Sequence, residues 1–398
     1  MTSVAVPPSV ADAEALGRLI DALDGGADGA RYIGGWVRDT LLGLDPQDID
    51  IATRHAPREA ERRAKAAGLN TWSSASGIAH GTIGVVIGGK TVEVTTLRRD
   101  VSTDGRHATV AFTEDWREDA ARRDFTINAL SADPLTGEVH DYFGGLADLT
   151  EGRVRFIGDP LIRIAEDHLR ILRFFRFHAR FGKGVPDAAS YEACVVRAKD
   201  LMALSRERIA AELLKLLAVD DPVATVEAML AGGLFAPVVP EITGSDRLAA
   251  LVAAEHTAGI APDGLRRLAA LLPEDERIAE QVGARLKLSN ADRKRLTLAA
   301  RPVFAPPEVL VYTFGNASAT DMALLTGLAD RAKIASAWQA PRFPLTGGDL
   351  IALGLAPGPI VAATLQAVEK KWVKEGFPDR DRLGAMAREA VVAALSPG

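Results

Sequence analysis

Between residues 34 and 50 the chain reads Gly34-Gly35-Trp36-Val37-Arg38-Asp39-Thr40-Leu41-Leu42-Gly43 and, after four more residues, Asp48-Ile49-Asp50. Arg31 to Ile33, ahead of the glycine pair, predicts a short strand; Val37 to Leu42 predicts a helix that Gly43 stops, and Asp48 to Thr53 the next strand. Residues two apart on a strand share a face, so Asp48 and Asp50 project together while Ile49 turns into the core. Neighbouring carboxylates repel unless a divalent cation neutralises them, and Mg²⁺ held by one or two carboxylates plus substrate phosphates is the usual partner. Gly34 and Gly35, lacking Cβ atoms, let backbone amides approach a triphosphate, and Arg38, one helical turn on, is placed to clamp it. Two solvated acids after a glycine turn are the bland alternative; the flanking glycines and arginine favour phosphoryl transfer instead.

The surrounding chain supports a mixed head followed by helices. Ser9 can cap a helix whose Leu16, Ile20 and Leu23 fall on one face, and Pro57 opens another. Residues 82–87 and 91–97 predict two strands joined by Gly88-Gly89. This segment also spells a P-loop letter for letter, Gly84-Val-Val-Ile-Gly88-Gly89-Lys90-Thr91. A working P-loop opens a helix, whereas β-branched residues follow here, so the hairpin is the better reading. Residues 97–108 are polar and aperiodic and predict a mobile loop. Beyond Asp159 apolar residues recur at helical spacing, broken by prolines such as Pro222, Pro262 and Pro273.

Composition narrows the partners. With 398 residues, 47% apolar and 25% charged, the chain can fill more than one core. No apolar run approaches the roughly 18 residues of a membrane span and no signal segment opens the sequence, which predicts a cytoplasmic protein with no membrane partner. The lone cysteine, Cys194, cannot form an internal disulfide, and no Cys/His spacing suggests zinc. The net charge of −6 looks wrong for an RNA binder, but the placement of charge matters more than its sum. Residues 153–183 carry eight Arg/Lys against three Asp/Glu and are the first candidate for an anionic ligand. Within them Asp167, Arg170 and Arg173 recur every three residues, which predicts one shared helix face. A carboxylate and a guanidinium side by side can imitate a Watson–Crick edge for both C and A. A surface helix with internal ion pairs is the alternative, but Ile171, Leu172, Phe174, Phe175 and Phe177 leave little of this helix for solvent.

The G-G-x-V-R-D-x-L-L-G and D-x-D pair resembles the head signature of the class II tRNA nucleotidyltransferase and bacterial poly(A) polymerase family. Arg122-Arg123-Asp124-Phe125-Thr126-Ile127-Asn128-Ala129-Leu130, the segment from Asp141 to Leu149, and Glu166-Asp167-His168-Leu169-Arg170-Ile171-Leu172-Arg173 resemble three further motifs, in the family's order. The resemblance implies an α+β fold: an N-terminal nucleotidyltransferase head, a small mixed β-sheet with helices, followed by an all-α neck, body and tail. The divisions are 1–150, 151–215, 216–335 and 336–398. It implies that Asp48 and Asp50 bind Mg²⁺ and carry the transfer. Glu93 is open between a third catalytic acid and a solvated strand residue. It further implies that Asp167 and Arg170 read the base with Glu166 orienting the arginine, and that Arg123, Arg173 and Arg176 hold the nucleotide.

The activity so implied is addition of C, C and A to the tRNA 3′ end from CTP and ATP, without a nucleic-acid template and without DNA as partner. Poly(A) polymerase and CC-adding activity are alternatives within the family, and a non-catalytic RNA-binding relative lies beyond them. The loop Arg98-Arg99-Asp100-Val101-Ser102-Thr103-Asp104-Gly105-Arg106-His107 resembles that of mitochondrial CCA-adding enzymes, which favours A addition. A metal-dependent phosphohydrolase domain, present in some relatives, is not expected, since only His256 follows His178. In the tail, 347–358 predicts a helix and glycine turn before a helix bearing Lys370, Lys371 and Lys374, suited either to tRNA phosphates or to plain packing.

Overall fold

A computed structural model describes residues 2–6, 8, 11–46, 48–103, 108–301 and 303–395, with 100–103 and 108–110 described for their backbone alone. The chain forms two compact units, Met1–Val238 and Val239–Gly398. The first begins with α1 (Ala13–Ala22), β1 (Ala30–Ile33), α2 (Gly35–Leu41), β2 (Asp50–Thr53), α3 (Pro57–Ala66), β3 (Asn70–Trp72) and α4 (Ala75–Ala79). It continues through β4 (Thr82–Ile87), β5 (Lys90–Thr96), β6 (Arg98–Thr103), β7 (Ala108–Phe112), α5 (Trp116–Ala121), β8 (Ser131–Ala132), β9 (Val139–His140) and α6 (Gly145–Glu151). The cap of α1 is Asp12, whose carboxylate accepts from the Ala15 amide at 2.9 Å; Ser9, expected in that role, lies outside the described residues.

Seven strands form one sheet in the order β3-β4-β5-β2-β1-β8-β9, with β2 and β5 parallel and the other pairs antiparallel. Strand alternation divides its side chains. Ile83, Val85, Ile87, Val92 and Val94 are buried on the face where α3 packs against β4 and β5. Asp50, Gly84, Thr91 and Glu93 occupy the other face. At its β1 and β2 end this second face is closed by a cluster of Ile33, Ala52, Leu97 and Trp116. The β4–β5 turn places Gly88 and Gly89 at φ of 56° and 80°, left-handed values that suit a two-residue hairpin turn. Because strand rather than helix follows Lys90-Thr91, the P-loop reading is excluded.

Two sequence expectations are corrected here. The strand expected from Asp48 starts only at Asp50, paired with Glu93. The partner strand β1 ends at Ile33, and Gly34 turns away at φ 61° to bond its amide to the Leu130 carbonyl, so residues 48 and 49 have no ladder on that side. The loop expected over 97–108 is instead a two-stranded arm, β6 with β7, bulged between Asp100 and Ser102. Polar sequence concealed a ladder whose bonds are made by the backbone; residues 104–107 of that loop lie outside the described residues.

Helices follow: α7 (Pro160–Glu166), α8 (Arg170–Phe181), α9 (Ala188–Val196), α10 (Arg206–Leu217) and α11 (Val223–Ala231). Asp159 caps α7 by accepting from the Leu161 and Ile162 amides, and Pro160 stands at the first position, where a missing N–H costs nothing. Phe125, from the head, is fully buried, its ring 5.0 Å from Phe156, 5.2 Å from Phe177 and 6.3 Å from Phe174. Aromatic packing therefore joins the Arg122–Leu130 segment to α8.

The second unit is helical from Asp246–Ala258 to Arg380–Leu395. Its interior contains a charged cluster. Glu255 accepts from Arg266 at 2.5 Å and from Arg267 at 2.8 Å, and Asp321 accepts from Arg266 at 2.8 Å and Arg295 at 2.6 Å. In the tail, Thr346 and Asp349 form a capping box for the helix Gly347–Ala352, and Lys371 on the helix Pro359–Lys374 pairs with Glu389 at 2.5 Å.

Candidate active site

The parallel pairing of β2 with β5 sets Asp50 directly against Glu93 on one face, about 4.8 Å apart as strands run. Asp48 precedes the ladder. Burial pushes the Asp50 carboxyl above the usual range; Glu93 adds to the rise, Arg123 opposes it, and Asp48 adds a further increment. A carboxylate pressed by two others and only partly offset by one arginine is an electrostatic demand for a cation. Among the described residues no three His, Cys, Asp or Glu side chains converge as an ion cage. Asp48 and Asp50, with Glu93 beside them, are acids that could hold a divalent cation such as Mg²⁺, which takes the rest of its coordination from a substrate.

Gly34 lies against Arg123, whose charge acts on Asp50. A Cβ at Gly34 would lie 2.8 Å from Arg123 Nη1, and the φ of 61° is itself one that side chains disfavour, so glycine here serves both backbone and neighbour. Arg123 Nη1 donates to the Asn128 carbonyl at 3.3 Å, and its Nη2 lies 3.5 Å from Asp119. A Cβ at Gly35 would meet only ordinary contact, Arg38 Nη2 at 3.7 Å.

Arg38 is placed differently from the expected phosphate clamp. It is buried, donates from Nε to Asp39 at 2.7 Å and from Nη1 to Asn128 Oδ1 at 2.5 Å, and lies 4.2 Å from the Phe181 ring centroid. Burial lowers its pKa and Asp39 works against the fall. Its guanidinium thus fixes Asn128, whose Nδ2 donates to Asp124 at 3.0 Å.

Arg170 begins α8 but Asp167 does not lie on the helix. Asp167 is extended, with φ −151°, and breaks α7 from α8; its carbonyl accepts from the Arg170 amide and its carboxylate from the Leu169 amide, both at 3.0 Å. The shared face inferred from a spacing of three is replaced by a capping turn, because an Asp side chain satisfies free amides at a helix start. Arg170 donates from Nη1 to the Arg163 carbonyl at 2.8 Å and to Glu166. Glu166 also accepts from Arg163 at 2.5 Å, and Arg163 Nη2 donates to the Arg122 and Arg123 carbonyls at 2.5 Å each. Arg173 pairs with Asp124 at 2.6 Å and Arg176 with Glu212 at 2.6 Å. For Arg173 burial opposes the charge, but Asp124 outweighs it and the pKa rises.

Sequence reasoning missed the residues that hold this constellation: Arg163, Asp119, Asn128, and on α10 both Arg208 and Glu212. Arg208 Nη2 donates to both Asp167 oxygens, at 2.9 and 3.2 Å. Their signal is the spacing of four that puts Arg208 and Glu212 on one side of α10, with Glu212 buried there. A cavity of about 940 Å³ beside Asp48, lined by Trp36, Thr40, Ile49 and Val92, does not include Arg123, Asp167 or Arg170.

Residues 30–155 match the family described as "Poly A polymerase head domain", and residues 187–245 that described as "Probable RNA and SrmB- binding site of polymerase A". The chain is 34% identical over 366 residues to the Mus musculus protein named CCA tRNA nucleotidyltransferase 1, mitochondrial, covering 87% of this chain and 83% of that one. It is 32% identical over 371 residues to the CCA-adding enzyme of Lacticaseibacillus paracasei, covering 88% and 89%. The crystal structure of the Bacillus stearothermophilus CCA-adding enzyme in complex with CTP matches with a TM-score of 0.72 at 25% identity, over 95% of this chain and 98% of that one. Among the described residues no helix is long and apolar enough to cross a membrane.

Proposed function

The chain belongs to the CCA-adding tRNA nucleotidyltransferase family, and on that premise we propose that it adds C, C and A to the tRNA 3′ end from CTP and ATP, with release of pyrophosphate. The observation that carries the reading is the chain of contacts from Arg170 through Glu166 and Arg163 to the backbone of Arg122 and Arg123. It ties the base-reading arginine to the head segment whose Arg123 faces the catalytic acids.

Enzymes of this family are generally metal-dependent, and Asp48 and Asp50 suit Mg²⁺, with Glu93 as the neighbouring acid that strengthens the negative field. When bound, such ions favour attack by the primer 3′-hydroxyl and neutralise the departing pyrophosphate. The protein's own groups do the rest. Gly34, with no Cβ, lets the Arg123 guanidinium lie against the backbone, where it can meet the triphosphate, and Arg38 acts at one remove by holding Asn128. Arg173 and Arg176, each anchored on one side by an acid, present the remaining guanidinium edge to the nucleotide. Arg170 donates to the base while Asp167 accepts from its exocyclic amino group, a pattern common to C and A and wrong for U and G.

The four-part division into head, neck, body and tail is part of this proposal, as is contact between the tail lysines and the tRNA backbone. A cytoplasmic location is also proposed, in keeping with the single buried Cys194. The sequence from Arg98 to His107, which resembles that of mitochondrial CCA-adding enzymes, supports A addition as well as C addition. The test is extension of tRNA lacking its last three nucleotides. We expect C, C and A in that order, and loss of extension by orders of magnitude in Asp48→Ala and Asp50→Ala. Arrest after the second C would reduce the activity to CC addition, and full activity without either acid would overturn the site.

A further inference from the structure

Part of the catalytic face of the sheet is open, and one row across it is unusual. Strand register sets Trp72 opposite Gly84, Gly84 opposite Glu93, and Glu93 opposite Asp50, so these four residues share one face in a line running from the β3 edge to the catalytic acid. Trp72 is 52% exposed, although Trp is highly buried on average. Its ring is nonetheless held. A Cβ at Gly84 would fall 2.2 Å from the indole Cε2, so the ring lies flat on the glycine backbone, and its Nε1 is 3.4 Å from Thr91 Oγ1 on β5. The indole therefore reaches across β4 to Thr91 on β5 while remaining half exposed. Three strand spacings separate the Trp72 and Asp50 Cα atoms, about 14 Å, and the ring lies over the first of them, on Gly84.

We propose that Trp72 is the stacking platform for an unpaired base at the 3′ end of the acceptor tRNA, positioning the strand whose terminal hydroxyl is presented to Asp48 and Asp50. This rests on the nucleotidyltransferase reading above. A flat aromatic ring accepts any base, as an acceptor end that changes at every cycle requires. The incoming nucleotide is a less suitable occupant, because its base is assigned to Asp167 and Arg170 in the neck. Trp72 does not touch the reacting atoms in this account; it is a positioning residue.

The test uses the full-length protein and tRNA lacking its last nucleotide. In Trp72→Ala the KM for tRNA should rise about tenfold or more, with the KM for CTP and ATP unchanged, and Trp72→Phe should recover part of the loss. Tryptophan emission supplies a readout that a merely structural role would not move. Binding of tRNA should quench the wild-type signal, and the quench should largely vanish in Trp72→Phe, which keeps the other four of the five tryptophans. An unchanged KM for tRNA together with an unchanged quench overturns the proposal, as does a defect confined to the KM for CTP or ATP. If Trp72→Ala does not fold, the quench in Trp72→Phe decides. If the wild-type protein extends no tRNA, the function falls instead, while the quench still reports whether an RNA end stacks on Trp72.

Discussion

Glu166 holds two guanidiniums at once, Arg170 on the neck and Arg163, which in turn grips the carbonyls beside Arg123. Its carboxylate is three-quarters covered, so the charge-assisted bonds are screened less than surface pairs. Replacing it with Gln keeps the shape and removes the charge. Glu166→Gln should lower kcat/KM for CTP and ATP by about tenfold or more, given the ~1.5–3 kcal/mol typical of hydrogen bonds to charged groups. Single-turnover incorporation measures this, and unchanged kinetics would show that Arg170 is oriented by something else. Sequence resemblance singled out Glu166, Asp167 and Arg170 but not the side chains that hold them. Arg163 and Arg208 act through side chains that reach other elements, and spacing along one helix carries no record of such reach. Asp167 illustrates the same limit: its spacing suggested a helix face, whereas its side chain serves the free amides at the helix start.

At the scale of elements, α8 does two jobs: Arg173 and Arg176 pair with Asp124 and Glu212, and its phenylalanines weld it to the Arg122–Leu130 segment. The aromatic run was legible because four Phe residues among eight positions cannot all reach solvent. Phe125→Ala should cost roughly 3–5 kcal/mol of stability. Urea unfolding checks this, and a cost below about 1 kcal/mol would mean that the join is not packed as described. The same junction is sensitive to acid. Burial drives Asp119 and Asp124 upward, but Arg123 and Arg122 outweigh it for Asp119, and Arg173 and Asn128 do so for Asp124, leaving both carboxyls below their ordinary range. The unfolded chain then binds protons more readily. The stabilisation from these carboxylates is present above pH ~4 and is lost as pH falls further, through the folded-state values. Replacing either acid with Asn should flatten the acid limb of stability against pH, and an unaltered limb would contradict the assignment. The β6–β7 arm was not legible, since a ladder of backbone bonds places few demands on side chains.

For the whole molecule, the mixed head and helical remainder followed from a change of periodicity near Asp159, and the proposed site draws on motifs separated by more than a hundred residues. The buried Glu255, Arg266 and Arg267 cluster was invisible in the same sequence, because buried and solvated ion pairs have the same composition. What the assembled parts must do is choose a nucleotide with no template strand to copy. The most direct test is extension of tRNA lacking its last three nucleotides with all four nucleotides supplied, comparing the wild-type protein with Arg170→Ala. The wild-type product should end strictly in C, C, A, and the variant should still transfer nucleotides but admit U and G. A variant that remains slow yet strictly faithful would show that the base is read elsewhere.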